Sequence, residues 1–302
     1  MKKELLEDTR ELLARAGFYI SGVCTIRPSS FDFVARRDNA LLLVKVLNNI
    51  DALSEEVAQE LLFLAKHLEG IPLLIGNRTG AGPLEDEVVY YRYNVPIITL
   101  DTLHDYLSGV PPLICAAPGG FYVRLDGERL RSLRNDQDIS LGQLARMTGV
   151  SRRTIRMYEQ GERATIEMAE KLAELLGEDV LQPLDLAAFV QAHEMEIHRR
   201  ISDRMLALLE ALNISIMPTD RSPFNAISQF MDELLLIATD CSRLRERARV
   251  LSDVSRVVER PSVLFMETCT RTNIAGIPVI GREELSLLDD PLGLLELIRE
   301  RE

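Results

Sequence analysis

The chain has 302 residues, enough for two or three domains rather than one. Hydrophobic residues make up 46% and charged residues 27%, the balance of a globular chain, and no apolar run reaches the roughly 18–20 residues that a bilayer span needs. The net charge of −12 excludes bulk attraction as the source of any affinity for nucleic acid, because phosphates repel an acidic surface, so a contact of that kind has to be local.

The start, MKKELLEDTRELLARAG, has acidic residues where a signal peptide needs an apolar stretch. It predicts an amphipathic helix of a cytoplasmic protein, with Leu5, Leu6, Leu12, Leu13 and Ala16 on the apolar face and Gly17 ending it. FYISGVCTIR predicts a strand, and SFDFVARRDNALLLVKVL predicts two strands around the turn Arg37-Asp38-Asn39. LLLVKV is nearly all apolar, as a strand covered on both faces would be. SEEVAQELLFLAKHLEG predicts a helix with Ser54 as N-cap and Gly70 just past its end. IPLLIGN and VPIITL predict further strands, so residues 1–110 are expected to form an α/β domain. PPLICAAPGG, residues 111–120, has the Pro and Gly content of a linker.

After the strand-like FYVRLDG, the pattern from Glu128 to about Phe189 is helical, and residues 121–189 are expected to form an all-α domain. A long helical stretch, AAFVQAHEMEIHRRISDRMLALLEALNI, leads into a third block at 190–302. That block repeats the first. FDFVARRDNALLLVKV (Phe31 to Val46) lies over FNAISQFMDELLLIAT (Phe224 to Thr239) without a gap, at a constant offset of 193 residues, since both 224 − 31 and 234 − 41 give 193. VPIITLDTL likewise faces IPVIGREEL. The expectation is a duplicated α/β domain on either side of a helical one.

Within the helical domain, four short helices can be read from caps and glycines. Leu130 and Leu133 begin an apolar face, Ser140 caps a second helix carrying Leu144, Ala145 and Met147, and Gly149 supplies the turn. Ser151 caps the third helix, Ile155 and Tyr158 form its inner face, and Gly161 ends it. Thr165 caps the fourth, which runs to Leu176 before Gly177. Two short helices around a glycine turn make a helix-turn-helix, with Leu144, Ala145, Gly149 and Ile155 as its core. The third helix, 151–160, then presents Arg152, Arg153, Arg156 and Met157 outward by the three-and-four spacing. Arg152 and Arg153 sit at its start, where side chains reach base edges in the major groove, and an arginine fork bonds guanine bidentately. Met157 suits a thymine methyl, while Ser151, Thr154, Arg156 and Arg163 suit phosphates.

GVSRRTIRMYEQGER and the preceding LARMT resemble the Cro and lambda-repressor class of helix-turn-helix domains: Leu-Ala, then Gly-Val-Ser, Ile and Glu-x-Gly. Leu141 stands where that family usually has a phosphate-binding Gln. The whole chain, including APGGFYVRLDGE, resembles a family of archaeal transcriptional regulators of this class. The first block also resembles the restriction-endonuclease-like fold, as in Holliday-junction resolvases, whose metal site is an Asp followed on the next strand by Glu-x-Lys. Asp32 stands at the Asp position. In one frame Lys45 takes the Glu position and Leu47 the Lys position; in the other, Leu43 replaces the Glu and Lys45 is the Lys. Either frame loses a carboxylate, and one Asp is a poor magnesium site. In the second copy Asn225 faces Asp32 and Ala238 faces Lys45.

Other candidates are weaker. His193 and His198 in HEMEIH are five apart and point about 140° from each other on a helix, unlike the pair of a zincin. GNRTGAGP, from Gly76 to Pro83, lacks the Gly-Lys-Ser/Thr of a P-loop. His67 and His104 join no Ser-His-Asp or Cys-His arrangement, and Cys24, Cys115, Cys241 and Cys269 lie too far apart for a zinc ribbon. The sequence therefore predicts a non-enzymatic, sequence-specific regulator that binds double-stranded DNA, with no metal and no cofactor. It is expected to act as a homodimer joined through the stretch after Leu186 or the flanking domains, with the transcription machinery or a small-molecule effector as further partners. Two other functions fit the same features: a divergent metal-dependent nuclease targeted by its helix-turn-helix, and a protein-bridging transcription cofactor.

Overall fold

Helical and strand periods alternate along the chain, and the elements follow them. The computed structural model describes residues 2–186, 203–230, 233–239, 243–288 and 290–301. Helix α1 (Lys2–Arg15) precedes β1 (Tyr19–Ile20), β2 (Phe33–Arg37), β3 (Ala40–Asn49), α2 (Glu55–His67) and β4 (Ile71–Arg78). Then come β5 (Val88–Arg92), β6 (Val95–Ile98), α3 (Leu100–Leu107), β7 (Ile114–Ala117) and β8 (Gly120–Val123). The helical segment holds α4 (Gly127–Asp136), α5 (Leu141–Thr148), α6 (Arg152–Tyr158), β9 (Ala164–Thr165) and α7 (Ile166–Leu176). The last block holds α8 (Arg204–Ala211), β10 (Ser215–Pro218), β11 (Ala226–Phe230), β12 (Glu233–Thr239), α9 (Leu244–Val258), β13 (Ser262–Met266), β14 (Asn273–Ile274), β15 (Ile277–Gly281), α10 (Arg282–Ser286) and α11 (Pro291–Arg301). No helix among the described residues is long and apolar enough to cross a membrane.

The chain divides into two units. The first comprises Met1–Leu5, Leu47–Ala52 and Leu74–Phe189. Its strands run in the order β4-β6-β5-β7-β8-β9. β4 and β6 are parallel, with Leu74 opposite Ile97, and both are apolar and buried, as a covered parallel pair requires. Residues 111–120, expected as a linker, hold β7, which pairs with β5 and forms a hairpin with β8. The run Ile114–Ala117 is apolar enough to pair, and Gly119 and Gly120, both at positive φ, close the turn. β9 pairs with β8, Val123 opposite Ala164. That pairing occupies the backbone around Thr165. Thr165 occupies the N-cap position of α7, but its side chain makes no cap hydrogen bond, unlike the expectation.

The second unit comprises Leu6–Val46, Leu53–Leu73 and Val190–Glu302. It contains β1-β2-β3, all antiparallel, and a six-stranded sheet in the order β10-β11-β12-β13-β15-β14. β10, β11 and β12 are antiparallel, whereas β12, β13 and β15 are parallel. Phe33 pairs with Val44 and Ala226 with Ile237, and the ladder continues in step to Arg37 opposite Ala40 and Phe230 opposite Glu233, each pair 193 residues from its counterpart. The core of the later sheet gathers Leu206 and Leu209 of α8, Ile237, Phe265, Ile280, and Leu294 and Ile298 of α11. Within this unit the Arg36 guanidinium donates to Val257 O at 2.7 Å and Val258 O at 2.9 Å, capping the C-terminal carbonyls of α9. Glu60 of α2 accepts from the backbone N–H groups of Asp220 and Arg221.

Candidate nucleic-acid interface

α5 and α6 are set by their ends. Ser140 and Gln143 form a reciprocal capping box at the start of α5, with Gln143 N to Ser140 Oγ at 3.2 Å and Ser140 N to Gln143 Oε1 at 2.8 Å. Gly149 ends α5 at φ 79°, the left-handed conformation that side chains resist. Lys171 of α7 donates to Thr148 O at 3.2 Å, taking one of the last carbonyls of α5. Two residues after Gly149, Ser151 caps α6 by accepting from Thr154 N at 3.1 Å. The caps of Ser140, Gly149 and Ser151 are local to the turn, and Lys171 adds one bond from α7.

The inner faces then lock. Leu144 and Ile155 are wholly buried and Ala145 nearly so, packed with Leu130 of α4 and Ala169, Leu172 and Leu176 of α7. A buried ion pair adds direction. Arg134 of α4 donates through Nε to Glu159 Oε1 at 2.7 Å and also to Ile139 O at 2.8 Å, and both charged side chains are only about a tenth exposed. Glu159 follows α6 directly, so this pair fixes the end of α6 against α4. Sequence reasoning missed the pair, although Glu159 is the Glu of the Glu-x-Gly pattern.

The outer face carries what the spacing predicts. Arg152, Arg153, Arg156 and Met157 are exposed, with Met157 at 42%. Met147, carried by α5 with Leu144 and Ala145, is 44% exposed, unlike those two. The Arg152 guanidinium lies over Gly142 at the start of α5, where an added Cβ would come within 2.9 Å of Nη2. The hydroxyls of Ser151 and Thr154 bond each other at 2.9 Å, so both are engaged in the cap. Arg163 stacks on the Tyr122 ring, 5.0 Å from its centroid. The structure therefore groups Arg152, Arg153, Arg156 and Met157 on one short helix, with Arg163 in the turn beyond it.

A second constellation surrounds Asp32. It is fully buried immediately before β2, and Oδ2 accepts from Val46 N at 2.9 Å. Arg27 Nη2 lies 3.1 Å from Oδ1 and Lys45 Nζ 3.8 Å from Oδ2, while Lys45 also donates to Ser29 O at 2.6 Å. Both carboxylate oxygens thus face cations. A divalent metal needs several hard oxygen donors. Here the neighbouring strand offers Leu43, Lys45 and Leu47, so the residues do not fit a metal. Among the described residues no group of three or more His, Cys, Asp and Glu is placed to hold one. In the later block Asn225 Oδ1 accepts from Thr239 N at 3.0 Å, the same bond that Asp32 makes 193 residues earlier. His193, Glu194 and His198 lie outside the described residues, as does Cys241. Cys24 and Cys115 are buried free thiols, and Cys269 is a half-buried one.

Residues 130–181 match a family described as helix-turn-helix, and residues 2–112 match a PD-(D/E)XK superfamily domain. Over its whole length the chain is similar to provisionally named HTH-type transcriptional regulatory proteins. It is 40% identical to the one from Methanococcoides burtonii, across 99% of this chain and 97% of that protein. It is 39% identical to the one from Methanocella arvoryzae, across 100% and 97%, and 34% identical to the one from Archaeoglobus fulgidus, across 100% and 99%. The chain belongs to this archaeal regulator family. No solved structure matches it. In this family member, the helix-turn-helix match runs past α7 to take in Val180, which is buried in the same core. The PD-(D/E)XK match ends at 112, just before β7.

Proposed function

We propose that this protein is a cytoplasmic, sequence-specific regulator of transcription that reads double-stranded DNA with α6. The observation that carries this is the capped, ion-paired α6 with Arg152, Arg153, Arg156 and Met157 on its open face. Arg152 and Arg153 contact base edges, and Met157 meets a thymine methyl. Arg156 and Arg163 hold phosphates, with Ser151 and Thr154 adding hydroxyl contacts beside the cap. One such helix reads only a few base pairs, so two copies of the chain bind half-sites about 34–36 Å apart. The arginines supply a local positive face on a chain of net charge −12, which favours a docked geometry over bulk attraction.

The α/β blocks on either side of the helix-turn-helix are a duplication that no longer cuts nucleic acid. Shared strand orders, the common ladder offset and the matching Asp32 and Asn225 bonds support the duplication. The cations on Asp32 support the loss of catalysis. Selection from random duplex DNA tests the proposal, run beside an Arg152→Ala/Arg153→Ala variant. A two-fold-symmetric motif that the variant loses is the expected result, and no enrichment at low salt contradicts it. The PD-(D/E)XK match favours a second reading, a nuclease, which predicts magnesium-dependent nicking that Asp32→Ala abolishes.

A further inference from the structure

α9 is a basic element of an acidic chain. From Arg243 to Arg260 the sequence RLRERARVLSDVSRVVER holds six arginines against three carboxylates, within a chain of net charge −12. Its inner face, with Ala248, Leu251 and Val254, is buried in the second unit. On the opposite face Arg245, Arg249 and Arg256 fall within about 40° of one another along roughly 16 Å of helix. All three are exposed. The carboxylates leave this row largely unneutralised. Glu246 accepts from Thr25 Oγ1 at 2.7 Å and lies 3.9 Å from Arg243, Glu259 lies 3.6 Å from Arg36, and Asp253 reaches only Arg256, at 3.9 Å. Arg245 and Arg249 make no hydrogen bond or ion pair among the described residues. Folding does not call for these charges, because cations are disfavoured at the positive N-terminal end of a helix. Arg243, at the N-cap with φ 65°, makes no side-chain cap bond, and only Arg247 has a packing role, donating to Pro223 O at 2.8 Å. α2, which follows β3 as α9 follows β12, begins instead with Glu55 and Glu56.

We propose that this face of α9 binds the phosphate backbone of double-stranded DNA, as a second and sequence-independent contact; the inference rests on the reading of the chain as a DNA-binding protein. The row is complementary to a polyanion: a duplex carries one negative charge per roughly 1.7 Å of axis, so a row of this length meets several phosphates. Each guanidinium can bond a phosphate through two parallel N–H groups. Between Arg249 and Arg256 the same stripe carries Ser252, so no apolar anchor of the kind that centres a protein interface stands on it. A contact here adds local attraction that the acidic remainder of the chain does not supply.

Titrations of the full chain against selected and random duplexes at several salt concentrations test the proposal. Arg245→Gln/Arg249→Gln should reduce the slope of log K against log salt by about 1.8, at roughly 0.9 for each phosphate contact, and by the same amount on both duplexes. Arg282→Gln/Arg299→Gln removes the same charge from exposed, ion-paired positions of the same unit and should leave the slope unchanged. An unchanged slope in the first variant, or an equal fall in the second, overturns the inference. The thermal midpoint of the first variant should be no lower than that of the wild type, since it loses cations from the positive end of a helix; a lower midpoint assigns the arginines to folding and overturns it too. Binding of poly-glutamate that the first variant loses while its duplex slope stays intact assigns the face to an acidic protein instead. A motif enriched by selection together with a slope insensitive to α9 leaves the reading by α6 in place and sinks this inference. Binding to random duplex that depends on α9, with no motif enriched, supports this inference and sinks the reading by α6.

Discussion

Arg134 and Glu159 show how a single pair places a helix. Removing one partner of a buried ion pair strands the other, at a cost of about 3–5 kcal/mol. Arg134→Ala should therefore lower the urea midpoint of the helical domain far more than Arg152→Ala, whose side chain is exposed. Asp32 invites a comparison that the later block supplies. Asn225 makes the same backbone bond without a charge, so Asp32→Asn should keep the bond to Val46 N. Both substitutions leave the cations without their carboxylate, but Asp32→Ala also leaves that buried N–H without its acceptor and should cost about 1–3 kcal/mol more than Asp32→Asn. Thermal unfolding measures both. Because the site does not fit a metal, magnesium and EDTA should leave the wild-type midpoint unchanged.

At the level of elements, two glycines do different work. Gly149 is needed for its backbone: φ is 79° and an added Cβ meets nothing within 4 Å. Gly149→Ala should cost about 1 kcal/mol, the price of a left-handed residue with a side chain. Gly127, the first residue of α4, is needed for its missing side chain. A Cβ there would lie 2.5 Å from Glu159 O and 2.7 Å from Gly161 N, and backbone atoms cannot swing aside. Gly127→Ala should therefore cost more than Gly149→Ala, by about 1–3 kcal/mol of overpacking. Guanidinium unfolding of the two variants side by side checks the order; the reverse order would mean that α4 moves freely on the end of α6.

For the whole molecule, electrostatics and architecture meet at the DNA. If Arg156 and Arg163 hold phosphates, removing either should reduce the slope of log K against log salt by about 0.9, equally on selected and random duplexes. Loss of Arg152 or Arg153 should instead lower the ratio of selected to random binding by about 1–3 kcal/mol per bidentate contact. Titrations at several salt concentrations separate the two classes, and equal losses on both duplexes for all four would contradict base reading. The acidic remainder of the chain adds nothing attractive at long range, so the slope reports the local phosphate contacts.

The caps of α5 and α6, the glycine turn and the outward arginines were legible because each depends on residues within four positions of one another. The ladder of β2 with β3 and that of β11 with β12 were legible for a similar reason: few residues separate strands whose apolar runs set the register. The sequence by itself thus determined the helix-turn-helix and its basic face. Only the tertiary structure decided the rest. β7 forms inside an apparent linker because β5 and β8 offer it partners. Thr165 makes no side-chain cap where its backbone joins β8. Asp32 acquires Lys45 from the neighbouring strand, and Arg134 finds Glu159 across 25 residues. Each of these rests on a partner outside the element itself, whose position is set by packing rather than by period or cap.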